Sequence, residues 1–84
     1  MREMIPDKSE PVDLTSGDHT FDMRVDAIFC STDGTVVARL RKDDDARSWP
    51  VKAGDYLLGN FAEVLDTSSP TTGLIGVADT SREP

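Results

Sequence analysis

FDMRVDAIFCSTDGTVVARLR, residues 21–41, decides the fold. Phe21, Met23, Val25, Ala27 and Phe29 alternate with Asp22, Arg24, Asp26, Ile28 and Cys30. A period of two marks a strand with one buried face, whereas a helix repeats near 3.6. Asp33-Gly34, flanked by Ser31, Thr32 and Thr35, has the residues of a tight turn. Beyond it, Val36, Ala38 and Leu40 share one face, and Val37, Arg39 and Arg41 the other. One long β-hairpin is expected.

Downstream, residues 42–46 make a charged loop, and Ser48-Trp49-Pro50-Val51 a short strand. Pro50 cannot donate to a ladder, which puts that strand at a sheet edge. Lys52-Ala53-Gly54-Asp55 reads as a turn, and Gly59-Asn60 as a bulge or bend. Residues 56–58, 61–65 and 74–78 complete the set. Five to six short strands with turn signals between them predict an all-β protein, a small antiparallel sandwich or barrel.

That β-domain spans residues 21–78. Residues 1–20 contain Pro6, Pro11 and Gly17, with Met4, Ile5, Val12 and Leu14 as the available anchors. They read as an extended N-terminal arm, and residues 79–84 as a C-terminal tail.

The chain has 84 residues, 37% of them hydrophobic, which suits one domain with a small core. Its single cysteine allows no internal disulfide, and no Cys/His cluster offers a structural zinc site. Oligomerisation is then the expected source of extra stability. A net charge of −7 disfavours naked nucleic acid and anionic membranes as partners. No apolar run reaches the length of a membrane span or a signal peptide, so the expectation is a soluble product made in the cytoplasm.

Chemistry-bearing patterns are sparse. His19 is the only histidine and falls in the polar arm, away from any rigid scaffold that would set it beside a nucleophile. Cys30 ends a strand with no neighbouring base in sequence and reads as a packed small residue. Asp43-Asp44-Asp45 lacks the alternate spacing and the glycine of a calcium loop, and reads as a solvated loop. No glycine-rich phosphate motif is present. The expectation is a protein with no catalytic, cofactor-binding or metal-binding residues.

Self-association has better candidates. Ile28, Val37 and Leu58 lie opposite the main alternation and offer a second apolar face. Trp49 and Tyr56 are of the type enriched at interface hot spots. Val12 and Leu14 would anchor the arm on a neighbour.

From residue 27 to residue 77 the order of motifs resembles a known group. Ala27-Ile28-Phe29 leads to Asp33-Gly34-Thr35-Val36-Val37, then to Pro50-Val51-Lys52-Ala53-Gly54-Asp55-Tyr56-Leu57. Val64-Leu65 and Thr71-Thr72-Gly73-Leu74-Ile75 follow. This is similar to the small all-β structural proteins of tailed bacteriophages and gene-transfer-agent particles, of the head-spike base or capsid decoration type. The chain departs from that pattern at Ser69-Pro70 and in its longer acidic loop at 42–47. The resemblance implies a non-enzymatic virion component, made in the host cytoplasm. It would assemble as a homotrimer with the major capsid protein or other virion proteins as partners. The alternative from a different class is a small cytoplasmic SH3- or OB-like module that binds a peptide or small ligand through Trp49, Tyr56 and Phe61.

Overall fold

The computed structural model describes residues 5–69 and 72–80. Its strands are Lys8–Pro11 (β1), His19–Thr20 (β2), Ala27–Cys30 (β3), Gly34–Leu40 (β4), Arg47–Val51 (β5), Asp55–Leu58 (β6), Phe61–Val64 (β7) and Leu74–Ala78 (β8). They form two four-stranded sheets, ordered β1-β8-β3-β6 and β2-β7-β4-β5, with every ladder antiparallel. The protein is all-β, and the two sheets make it a sandwich.

The pairing is nested. β1 pairs with β8, β2 with β7, β3 with β6 and β4 with β5, so the chain is one long hairpin rolled into two layers. Eight strands in this order are the topology of a jelly roll. Every connection crosses between the sheets except the charged loop from Arg41 to Ala46, which joins β4 to β5.

Several expectations change here. The turn of the hairpin is that charged loop, not Asp33-Gly34. β3 and β4 lie in different sheets, and residues 31–33 carry the chain from one layer to the other. The Ala53 amide donates to Asp33 Oδ1 at 2.7 Å, so this aspartate ties two inter-sheet corners together. Residues 21–26 are irregular, with bends at Asp22, Met23 and Asp26. The alternation consequently slips by one residue: Val25, Ile28 and Cys30 pack between the sheets, while Ala27, itself fully buried, and half-buried Phe29 project to the other side of β3. A one-residue slip exchanges the two faces of a strand.

Residues 8–20 are not a free arm. Lys8–Pro11 and His19–Thr20 are edge strands, whose backbones complete the two ladders although their side chains are mostly polar. The described residues hold eight strands, not five or six, because an edge strand with one pairing neighbour needs little apolar content to form. Asp79 and Thr80, the first residues of the expected tail, are held by the fold. Asp79 is 2% exposed, and its amide donates to Asp26 Oδ2 at 2.8 Å. Residues 81–84 lie outside the described residues.

The core fills the space between the layers. Ile28, Cys30 and Leu74 come from one sheet; Val36, Ala38, Phe61 and Val64 come from the other. Val36, Ala38 and Leu40 face inward together, as the alternation of β4 predicted. Pro50 lies on an edge strand, also as predicted.

Asp7 and Thr80 clasp the segment before β1 to the segment after β8. Asp7 accepts from the Thr80 amide at 2.8 Å and from Thr80 Oγ1 at 2.6 Å. These bonds, the hydroxyl first, hold the Asp7 carboxyl below the ordinary aspartate value of 3.8. A lowered folded-state pKa means that the clasp contributes fully above 3.8 and is lost as pH falls below it, through the folded value. The protection of the Thr80 amide, measured against its intrinsic exchange rate at each pH, should therefore fall in that acidic window more than the protection of the core amides of β3.

Candidate docking surface

The register assigns each strand's two faces, because directly paired residues project to the same side. On the outer side of the first sheet, one row runs Pro11, Ile75, Phe29, Tyr56 across β1, β8, β3 and β6. The next row runs Ser9, Val77, Ala27, Leu58. Seven of these eight side chains are apolar or aromatic, and none is charged. The rows cross the full sheet, roughly 15 Å at the usual strand spacing.

Ala27 and Val77 are already covered by their neighbours, and Phe29 and Ile75 are half-buried. Tyr56 is 50% exposed and Leu58 is 70% exposed. The Phe29 and Tyr56 rings meet at 5.2 Å, tilted by 56°. At the β1 end, Pro6, Asp7, Lys8, Ser9 and Val77 line a shallow hollow of about 390 Å³. Polar groups thus rim an apolar centre.

The outer side of the second sheet is its opposite in character. Thr20, Glu63 and Arg39 share one row, with Val37 and Ser48, then Thr35 and Pro50, in the next ones. Arg39 Nε donates to Glu63 Oε1 at 2.8 Å. One face of the sandwich is wet and the other is apolar.

The seven residues singled out from the sequence do not converge. Tyr56 and Leu58 lie side by side on the apolar face. Ile28 and Leu14 are 0% and 6% exposed inside the chain's own core, so they offer no surface to a partner. Ile28 turns inward because of the slip at residues 21–26. Val12 packs half-buried against that core. Val37 is on the polar sheet, where its amide takes a bond of 2.8 Å to Ser68 Oγ. Trp49 seals the β5 edge, with its Nε1 donating to the Ala38 carbonyl at 3.2 Å. Phe29, Ile75, Val77 and Ala27 were missed. Their signal was present: Ala27-Ile28-Phe29-Cys30 and Leu74-Ile75-Gly76-Val77-Ala78 are continuous apolar runs, the pattern of strands covered on both faces.

The three rings proposed as a ligand platform do not share a surface. Phe61 is 1% exposed, and its ring stands edge-on to Trp49 at 5.7 Å. Tyr56 belongs to the other sheet.

The titratable groups act as fasteners. His19 Nε2 is 2.7 Å from Glu10 Oε2, and His19 Nδ1 accepts from the Asp13 amide at 3.4 Å. Glu10 also accepts from the Asp22 amide at 3.0 Å. Both ring nitrogens are thus engaged at the corner joining the sheets. Burial pushes the Cys30 thiol above its ordinary pKa, and Asp55 adds to the shift, so the thiolate is disfavoured. Among the described residues, no group of three or more His, Cys, Asp or Glu gathers as a metal site.

No family model, curated protein or solved structure matches this chain.

Proposed function

We propose that this chain is a non-enzymatic structural protein of a phage or phage-like particle, assembling with copies of itself and docking on the particle surface. The observation that carries the reading is the apolar outer face of the β1-β8-β3-β6 sheet. A sandwich of two four-stranded sheets needs only its two inner faces to make a core. The part of this second apolar face that the chain leaves open, from half-buried Ile75 and Phe29 to exposed Tyr56 and Leu58, has no role in the isolated fold, and uncovered patches of this kind mark interaction sites. The small core supports the same reading, since burying that face against a partner adds stability where the single chain has little.

The engaged histidine and the buried, protonated thiol support a binding role over catalysis. The order of motifs that resembles phage head proteins supplies the particle as the partner. Mass spectrometry of purified phage-like particles from cells carrying this sequence tests the reading. A fixed copy number per particle is expected. Presence of the chain only in the free protein fraction would overturn it.

A further inference from the structure

We infer that β6 is a strand-pairing edge that joins two copies of this chain antiparallel about a two-fold axis centred on Leu57. The inference rests on the self-assembly proposed above and adds the edge and register that carry it.

Four strands lie at sheet edges, and three of them are protected. β1 ends in Pro11 and carries Lys8, β2 is only two residues long, and β5 contains Pro50 and Arg47. Prolines, charges and short length are the usual devices that keep edges from pairing. β6, Asp55–Leu58, has no proline and no basic residue, and it carries two of the large exposed apolar side chains.

Its backbone is set for a partner. The Gly59 amide donates to the Asp26 carbonyl at 2.9 Å. Given the β3–β6 register, Leu57 then also turns its backbone groups toward β3, while at the start of the strand the Asp55 amide donates to the Lys52 carbonyl at 3.0 Å. Tyr56 and Leu58 turn theirs to the open edge.

A second copy centred on Leu57 sets Tyr56 of each chain opposite Leu58 of the other. Both are outward-facing positions, so the contact closes four backbone hydrogen bonds. On the outer face it makes two Tyr–Leu pairs, and on the inner side the two Leu57 side chains meet. The charges fit as well. Each chain is net −7, so copies meet best where neither carries charge. This register puts each Asp55 opposite Gly59 of the other copy. The two carboxylates are then offset by four residues, about 13 Å along the strands and beyond the screening length. A register centred on Tyr56 would halve that offset. The product is an eight-stranded sheet in which two apolar faces become one.

The test uses the full chain, with native mass measured over a dilution series and amide exchange followed by NMR. Expected are a dimer on concentration, protection of the Tyr56 and Leu58 amides in the dimer, and loss of that protection on dilution. Leu58→Lys should raise the dissociation constant about a hundredfold. Because Leu58 is 70% exposed, the fold should survive that change. The double variant Tyr56→Glu/Leu58→Lys should recover dimerisation, since only the proposed register sets the new charges opposite each other. A monomer at every concentration would overturn both this inference and the self-assembly beneath it. A trimer, or any oligomer with unprotected Tyr56 and Leu58 amides and a mass insensitive to Leu58→Lys, would overturn the β6 contact alone.

Discussion

Phe61→Ala is expected to destabilise the fold by about 3–5 kcal/mol, the largest single loss among side-chain truncations here. Phe61 is 1% exposed, at the start of β7 and in the centre of the core. Its ring supports Trp49 edge-on at 83°, and a Cβ built on Gly59 would come within 3.0 Å of it. Truncation removes the transfer energy of the ring and leaves a void between closely packed neighbours. In a domain of this size the melting temperature should fall by roughly 15–30 °C. Trp49 fluorescence should shift to the red in the same variant, because the indole loses the ring it packs on. Phe61→Leu should cost only about 1 kcal/mol, since most of the volume stays filled. An exposed ligand platform would give the opposite result, with little change in melting for either variant.

Asp26→Ala is expected to cost about 2–3 kcal/mol, through hydrogen bonding rather than packing. Asp26 precedes β3, and its side chain is 8% exposed. It accepts from the Asp79 amide at 2.8 Å, from Asn60 Nδ2 at 3.0 Å and from Arg24 Nη2 at 3.3 Å. One carboxylate thus fastens the end of β8, the bend between β6 and β7, and the irregular segment before β3. Alanine removes the acceptor and leaves the Asp79 amide buried without it. Asp26→Asn keeps one acceptor oxygen and should lose about half as much. Thermal melts of the two variants, measured side by side, check the order. Equal stability of Asp26→Ala and the parent chain would remove the hub from the description.

How far the sequence could be read follows from where period two holds. In β4 it holds throughout, and Val36, Ala38 and Leu40 point inward as expected. In residues 21–30 it misleads, because the bend at Asp26 shifts the phase of everything after it. That bend is made by tertiary bonds from Asn60 and Asp79, which are 34 and 53 residues away in sequence. Local patterning cannot contain such bonds. The same holds for β1 and β2, whose polar composition suggests an arm. Their place in the sheets comes from backbone pairing to β8 and β7, a partnership with almost no side-chain signature. Pro50 shows the reverse: a chemical restriction written into one residue locates an edge strand by itself.

The apolar outer face was half legible. Tyr56 stood out as a residue type enriched at interfaces, and Leu58 as an apolar residue opposite the main alternation. Phe29 was hidden because period two assigned it to the buried face, and Ile75 because residues 74–78 form a continuous apolar run with no alternation to separate the faces. Only the register, which sets Pro11, Ile75, Phe29 and Tyr56 in one row, shows that these four form a single surface. The strand order is just as hidden. Nested pairing of the first strand with the last is a property of the whole chain, and no single segment encodes it.

The central claim is that this apolar sheet face exists to be covered on a particle. Co-sedimentation of the purified chain with particles assembled without it, beside the variant Ile75→Glu, tests that claim most directly. Ile75 sits mid-row and half-buried on the outer side, so a glutamate there charges the face while leaving the core between the sheets intact. The parent chain should pellet with the particles, and Ile75→Glu should stay in the supernatant with its β circular dichroism unchanged. A parent chain that stays in the supernatant, or a folded Ile75→Glu chain that pellets equally well, would contradict the claim.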